Sequence, residues 1–433
     1  MDDRSAVTCQ LVYTRLKFPM KFSKKTVDRE RLSIAITGAV ALAVAMGIGR
    51  FAFTPLLPMM MADGMIDLAD AGWLASANYL GYLAGAVLCT FQPRIWARLP
   101  ALPPIDGPRV VRVGLVSTGI LTMAMALPWR PLWPLLRFAA GVSSALVLVY
   151  TSGWCLGELA RRGNAALGGA MYTGPGAGIV VSGLFASAMV ASGWHAGSGW
   201  LIFGLVAFFL TAIVWRTIHS DATASATRFV TAARADDRTH GRAEIGLLTV
   251  AYGLAGFGYI VTATFLPLIA RIALPNSQWI DFLWPIFGLG VIAGALVATH
   301  VRIAGDLRRA LAWCYFVQAT GILLSIISPT REGFALGSLL LGLPFTAITF
   351  FAMQEVRRLR PATVASTMGL LTAFYGLGQI VGPPLAARLV RHAGNNGVGF
   401  TLSLKVATTA LIIGGLIYLW MSRLFPHEDR GIN

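Results

Sequence analysis

Three basic side chains interrupt long apolar stretches of the sequence: Arg50, Arg137 and Lys405. An arginine inside a bilayer costs about 2.5–3.5 kcal/mol, so such residues are expected to bind something or to reach for the membrane surface. Three interpretations of Arg50 stay open: it holds an anionic group in a cavity, it snorkels outward, or it binds a backbone carbonyl freed by the nearby prolines. For Arg137 and Lys405, snorkelling is favoured over ligand binding.

No acidic partner is expected beside these cations. All nineteen Asp and Glu residues lie in tails, in loops or at the ends of the apolar stretches. A cavity with buried cations and no carboxylate favours a small organic anion, with an apolar or aromatic body, over a cationic drug.

Polar residues within the apolar stretches are further candidates for lining such a cavity, because polar groups rarely face lipid. Hydrogen bonding between helices is the alternative for each of them. The candidate substrate-binding residues are Arg50, Arg137, Asn78, Tyr82, Tyr150, Tyr172, Tyr259, Thr262, Tyr375 and Gln379.

Two matching groups of charges end apolar stretches in parallel. Each is an acid followed by two arginines, and salt bridges within these groups are candidates for closing one side of a helix bundle. The alternative is that basic residues at a helix C-terminus only complement the helix dipole. The candidate gating residues are Glu158, Arg161 and Arg162 in the first group and Glu355, Arg357 and Arg358 in the second.

Catalytic chemistry finds no support in the sequence. The six histidines lie in loops or at the ends of apolar stretches, the four cysteines are scattered without a C-x-x-C pair, and neither a P-loop nor a G-x-S-x-G motif occurs. The sequence therefore predicts no enzyme, no catalytic residue, no metal site and no cofactor.

The composition is that of an all-α membrane protein. Of 433 residues 56% are hydrophobic and 12% charged, against about 25% charged in soluble domains. The net charge of +16 does not indicate nucleic-acid binding, because the basic residues fall in short loops between apolar spans. Twelve transmembrane helices are predicted over 32–58, 71–92, 110–128, 132–157, 165–190, 197–216, 245–269, 279–299, 309–328, 333–355, 364–387 and 399–421.

These spans divide into two six-helix halves. The predicted organisation is a basic, disordered cytoplasmic tail (1–31), an N-terminal half (32–216), a cytoplasmic linker (217–243), a C-terminal half (244–422) and a second cytoplasmic tail (423–433). With both termini in the cytoplasm, 27 of the 35 Lys and Arg residues lie on cytoplasmic segments, as the positive-inside rule requires.

The two halves repeat each other. The pair Gly47 and Gly49 recurs 209 residues later as Gly256 and Gly258, and Tyr259 then stands where Arg50 stands in the first copy. Small residues four apart recur in the second and eighth spans as well. A parallel repeat of six spans is typical of two-lobed secondary transporters.

Three segments carry a family resemblance: Gly47–Pro58, Ala251–Tyr259 with Phe265-Leu266-Pro267, and Gly378-Gln379-x-x-Gly382-Pro383. In these the chain resembles the major facilitator superfamily, and more narrowly its YbfB/YjiJ-like bacterial branch, over roughly residues 32–422. The resemblance implies twelve helices, a central cavity and alternating access. The loop after the second span departs from the superfamily signature by lacking its acid, and the loop after the eighth span keeps only the basic part.

The predicted function is secondary active transport of a small organic solute, expected to be an anion, across a bacterial inner membrane. The partners are the small-molecule substrate and the lipid bilayer, a proton is a candidate coupling ion, and a monomer is expected. One alternative is a proton-driven exporter of drugs or metabolites, suggested by Gly174-Pro175-Gly176. The other is a non-transporting membrane sensor, against which the lack of a sizeable soluble domain argues.

Overall fold

The computed structural model describes residues 24–66, 68–99, 105–218, 241–274, 282–301, 306–393 and 396–426. Within these ranges the chain is helical and forms no strand. The α-helices are α1 (Lys24–Leu42), α2 (Phe53–Ala62), α3 (Leu68–Arg98), α4 (Gly107–Ala124), α5 (Trp133–Arg161), α6 (Thr173–Ala191), α7 (Ala196–Val214), α8 (Arg242–Ala273), α9 (Leu283–Ala298), α10 (Leu307–Ile327), α11 (Arg331–Gly342), α12 (Phe345–Leu359), α13 (Val364–His392) and α14 (Asn396–Leu424). Most of the predicted tail 1–31 and linker 217–243 lies outside the described residues.

Nine helical segments of the described chain are long and apolar enough to cross a membrane. This confirms the prediction of an all-α membrane protein, because a bilayer demands that each segment pair its own backbone groups. Helices α4, α6 and α9 pack among these segments where three further spans were predicted. The number of twelve spans and the cytoplasmic placement of both termini stay predictions.

The first predicted span is broken in the middle. After α1, residues Ala43–Ile48 form a π-helix, and a turn then leads into α2. Thr54 N donates to Phe51 O (3.2 Å), one residue closer than an α-helix would direct it, and Pro55 has no N–H to donate. The carbonyl of Arg50 therefore has no helical partner and is available to another side chain.

The helices before the predicted linker, α1–α7, form the N-terminal group, and α8–α14 form the C-terminal group. The most extensive contacts between them are made by two helix pairs. Helix α6 packs on α9 and α3 packs on α13. At the second contact Ser366 Oγ donates to Thr90 O over 2.6 Å. At the first, a Cβ built on Gly176 would lie 2.8 Å from Gly288 O, so the absence of a side chain permits this approach.

One end of the bundle carries both ends of the described chain, and we call it the terminal end. Arg31, in α1, donates to the carbonyl of Arg162 at the end of α5. Arg308 Nη2, in α10, donates to Phe425 O just after α14 over 2.6 Å. We call the opposite end of the bundle the distal end.

A carboxylate joins α2 to α7 at the distal end. Asp63 accepts a hydrogen bond from Ala196 N (2.7 Å) and lies 3.0 Å from His195 Nδ1. Burial raises the pKa of this carboxyl, but the hydrogen bonds from Ala196 and His195 outweigh burial and leave the pKa below its ordinary value. The bond to Ala196 N also caps the first turn of α7, whose free N–H groups favour an anion.

Candidate functional site

Arg50 lies between the two helix groups and is only 3% exposed. Its Nη2 donates to the side-chain oxygen of Gln379, which belongs to α13 of the C-terminal group. Its Cζ lies 4.1 Å from the centroid of the Tyr82 ring and 5.3 Å from that of Tyr79, both on α3. Arg50 therefore neither snorkels nor binds a backbone carbonyl: it is held by an amide and by aromatic faces.

The hydrogen-bond chain continues beyond Gln379. The side-chain nitrogen of Gln379 donates to the hydroxyl of Tyr259, on α8. Arg50, Gln379 and Tyr259 thus form one polar chain that crosses from the N-terminal to the C-terminal group. Tyr259 is the residue that replaces Arg50 in the second copy of the sequence repeat, so the two equivalent positions meet through Gln379.

This chain borders a small cavity between the groups. The cavity is about 20 Å³, room for about one water molecule. Both groups contribute to its wall, which is formed by Met46, Tyr82, Leu148, Tyr172, Pro175, Tyr252, Tyr259, Phe345, Thr346, Thr349, Tyr375 and Gln379. A molecule larger than water can occupy this position only when the groups move apart.

The cavity wall on the C-terminal side is a cluster of aromatic rings. The rings of Tyr259 and Phe345 lie 4.7 Å apart between centroids, and those of Tyr252 and Tyr375 lie 4.8 Å apart. Tyr259 also stacks on Tyr375 at 5.7 Å. Such a wall offers large apolar faces together with a few hydroxyl groups, which suits an aromatic or apolar solute carrying a polar head.

No carboxylate of the described residues balances the positive charge of Arg50, and the guanidinium of Arg137 lies nearby. The titratable groups of acidic type around Arg50 are the phenols of Tyr259, Tyr82, Tyr79 and Tyr375, which are uncharged at neutral pH. Within the described chain, its Nε and Nη1 have no hydrogen-bond partner. A buried guanidinium that lacks a counter-charge and has free donors is well suited to bind a carboxylate.

Arg137 binds backbone carbonyls. It is 3% exposed, and its guanidinium donates to the carbonyls of Gly49 (3.2 Å) and Arg50 (3.3 Å) in the break of the first span. The interpretation of Arg137 as a snorkelling anchor is therefore wrong. The broken helix exposes carbonyls inside the bundle, and a buried arginine satisfies them. Asn78 supports it by donating to Arg137 O over 2.9 Å.

The other candidate residues divide by position. Tyr172 lines the cavity and donates to Ser152 Oγ over 3.0 Å. Tyr150 lies away from the cavity, 3.4 Å from the side-chain oxygen of Gln92, and Thr262 is buried without lining the cavity. Lys405 is exposed on the surface of α14.

Several cavity residues were missed by the sequence analysis. Phe345, Thr346 and Thr349 all come from α12, and no residue of that predicted span was proposed for the cavity. Their signal was the Pro344 break followed by two threonines three positions apart, which share one helix face. Tyr252 was also missed, although it lies seven residues before Tyr259 and hence on the same face of α8.

The candidate gating residues form ion pairs within each group. Glu158 pairs with Arg161 and Arg162 on its own helix, α5. Glu355, which is fully buried, likewise pairs with Arg358 on α12. The described links between the groups at the terminal end are of another kind. Gln354 Nε2 donates to Ala165 O (3.2 Å), and the Arg357 guanidinium lies against Gly157.

The loop after the eighth predicted span does supply an acid, Asp306, to Arg308. Asp306 caps α10 and accepts from Arg308 Nε (2.8 Å), while Arg308 Nη1 donates to Glu244 (3.0 Å) at the start of α8. Arg308 and Glu244 are almost fully buried. The statement that this loop keeps only the basic part of the signature is therefore wrong, because the acid lies two residues before the arginine that it binds.

Comparison with known proteins places the whole site within one family match. The family model described as uncharacterised MFS-type transporter YbfB matches residues 42–419. That range includes every residue of the cavity wall and parts of both helix groups. No curated protein was found to match the chain.

Proposed function

We propose that this protein carries a small organic anion by alternating access. The proposal starts from its family, because the chain belongs to the MFS-type transporters whose family model is described as uncharacterised MFS-type transporter YbfB. The observation that supports an anion is the buried guanidinium of Arg50, which lies between the groups with free N–H donors and with no carboxylate beside it among the described residues. A cationic solute would meet repulsion there. A carboxylate would accept charge-assisted hydrogen bonds.

In this proposal different residues of the cavity bind different parts of the solute. Arg50 holds the carboxylate, and the amide of Gln379 and the hydroxyl of Tyr259 orient it. The rings of Tyr252 and Tyr375 contact the body of the solute. An aromatic carboxylate uses all of these contacts, so we propose this class of substrate.

Movement would occur at the contacts between the groups, chiefly those of α6 with α9 and of α3 with α13. The cavity lies between the groups, so opening either the terminal or the distal end exposes it on one side only. The proposal includes twelve spans in two halves with both termini in the cytoplasm of a bacterium, and a monomer in the inner membrane.

Uptake into proteoliposomes tests the proposal. A panel of radiolabelled carboxylates, including benzoate, phenylacetate and lactate, is offered to wild type, Arg50→Gln and Lys405→Gln. Loss of charge-assisted hydrogen bonds costs about 1.5–3 kcal/mol each, so Arg50→Gln should lower uptake about 10- to 100-fold. Lys405→Gln removes an exposed cation and should behave as wild type. Wild-type uptake by Arg50→Gln would contradict an anion site at Arg50.

A proton-driven exporter of drugs or metabolites is the second candidate. It is favoured by Pro175, from the glycine–proline segment of α6, which lines the cavity. The same vesicles distinguish the two candidates when a cationic dye is offered with and without a pH gradient. Dye movement that follows the gradient and persists in Arg50→Gln supports the exporter.

A further inference from the structure

The mode of transport follows from the charge balance of the closed cavity. Arg50 is buried, and the partners that hold it in the described structure, the Gln379 amide and the Tyr82 ring, carry no charge. Arg137, also buried, binds backbone carbonyls and brings a second positive charge nearby. Because the sequence has no Asp or Glu in the interior of any predicted span, a carboxylate of this chain cannot neutralise the pair at the level of Arg50.

Closing the cavity around Arg50 removes water from this charge. The remaining space of about 20 Å³ holds about one water molecule, so the guanidinium keeps little of its hydration. A neutral amide oxygen offsets part of this desolvation, and an anion offsets far more. An occluded form that holds an anion beside Arg50, with the groups further apart than in the closed structure, is therefore much more favourable than the empty closed form.

We infer that the protein exchanges anions across the membrane instead of moving them in one direction only. A carrier that performs net transport must pass through its closed form empty on every second passage. An exchanger passes through an occluded form that holds an anion in both directions, so the charge of Arg50 is neutralised each time. This inference rests on the proposed transport of an anion and adds the requirement for a second anion on the opposite side.

Gln379 is the residue that determines this behaviour. Its side-chain oxygen accepts from Arg50 across the two groups, at the position where a glutamate oxygen would supply a permanent counter-charge. With glutamine there, the counter-charge must come from a bound anion. With glutamate there, the empty carrier would close with a neutralised ion pair and could return without cargo.

The experiment compares vesicles that are empty with vesicles preloaded with an unlabelled carboxylate. Benzoate, phenylacetate and lactate are each tested as the labelled probe with the same compound inside. Wild type should take up at least one probe tenfold or more faster into preloaded vesicles. Since the exchange of like anions moves no net charge, a potential set with potassium and valinomycin should leave this rate unchanged.

Gln379→Glu and Gln379→Leu are the matched variants. The glutamate should reduce the advantage of preloading to less than twofold, make uptake into empty vesicles sensitive to the potential, and weaken binding because it competes with the substrate. The leucine removes the acceptor without adding charge, so preloading should remain necessary. Gel filtration and thermal unfolding verify that each variant is folded.

The outcomes separate this inference from the proposed function. Equal wild-type uptake into empty and preloaded vesicles overturns exchange and leaves anion transport intact. If no probe enters either kind of vesicle, the proposed function fails and the inference fails with it. A folded Gln379→Glu variant that still requires preloading shows that charge neutralisation is not the cause and overturns the inference.

Discussion

Arg137 holds open the break in the first span, and this role can be tested separately from substrate binding. In Arg137→Met the carbonyls of Gly49 and Arg50 lose a charged donor inside the bundle. Hydrogen bonds to charged groups contribute about 1.5–3 kcal/mol each, so we expect a melting temperature lower by about 5 °C or more in detergent.

Lys405→Met is the control for that measurement, because Lys405 is exposed on α14 and should change the melting temperature by no more than about 1 °C. Arg137→Lys should fall between the two, since an ammonium group lacks the planar fork that reaches both carbonyls. A fully stable Arg137→Met that had lost anion uptake would instead identify Arg137 as a ligand.

Sequence reasoning singled out Arg50, Arg137 and Lys405 but could not separate their roles. Arg137 and Lys405 stand at similar distances from the ends of their spans, yet one is buried and the other exposed. Depth can be counted along a helix, whereas the direction of a side chain depends on which face packs inward. Around Arg50 the π-helix also adds rotation that a count of 3.6 residues per turn does not predict.

At the scale of helices, α5 contains two glycines with different surroundings, Gly141 and Gly153, and they provide a matched pair of variants. A Cβ on Gly141 of α5 would overlap Asn78 O of α3, whereas a Cβ on Gly153 of the same helix would meet nothing within 4 Å. Gly141→Ala should force α3 away, lower stability by about 1–3 kcal/mol and displace Tyr82 from Arg50.

Gly153→Ala should leave transport unchanged and raise stability by up to about 1 kcal/mol, because alanine has the higher helix propensity. Thermal unfolding and carboxylate uptake are measured for both variants. Equal stability of the two would mean that α3 and α5 are not in the close contact described.

The repeat in the sequence predicted which elements matter better than it predicted their boundaries. The regions that it singled out, around Arg50 and Tyr259, do meet through Gln379. The breaks at Ala43–Ile48 and between α11 and α12 were not predicted. Continuous apolar composition hides such breaks, because an apolar residue suits lipid in an α-helix and in a π-helix equally.

At the scale of the molecule, the charged residues at the ends of α5 and α12 predicted a gate made of salt bridges, whereas the described contacts between the groups are of other kinds. The ion pairs stabilise each helix group separately, and the groups meet through glycines, aromatic rings and single hydrogen bonds. Charge patterns along a sequence reveal that partners exist, but not whether they lie in the same half. At the terminal end the hydrogen bond from Gln354 to Ala165 is uncharged and can break without stranding a buried charge, which suits surfaces that must move.

The cavity should open towards either end of the bundle, and labelling of a cysteine in the cavity wall tests this. Thr346, whose hydroxyl lines the cavity and has no hydrogen-bond partner among the described residues, is replaced by cysteine in a chain whose native cysteines are serines. Removing the bond from Gln354 to Ala165 with Gln354→Ala loosens the terminal end. Trp284→Ala loosens the distal end, because the Trp284 ring packs against the Phe51 ring of the other group at 6.1 Å.

A membrane-impermeant thiol reagent is then applied to vesicles of either orientation. The cavity cysteine should react several-fold faster from the terminal side in Gln354→Ala and from the distal side in Trp284→Ala, because each change weakens only the contacts at one end. A substrate anion should slow both reactions by binding at Arg50 and drawing the groups together. If both variants increased labelling from the same side, the two groups would not close the cavity at separate ends, and alternating access about this site would be wrong.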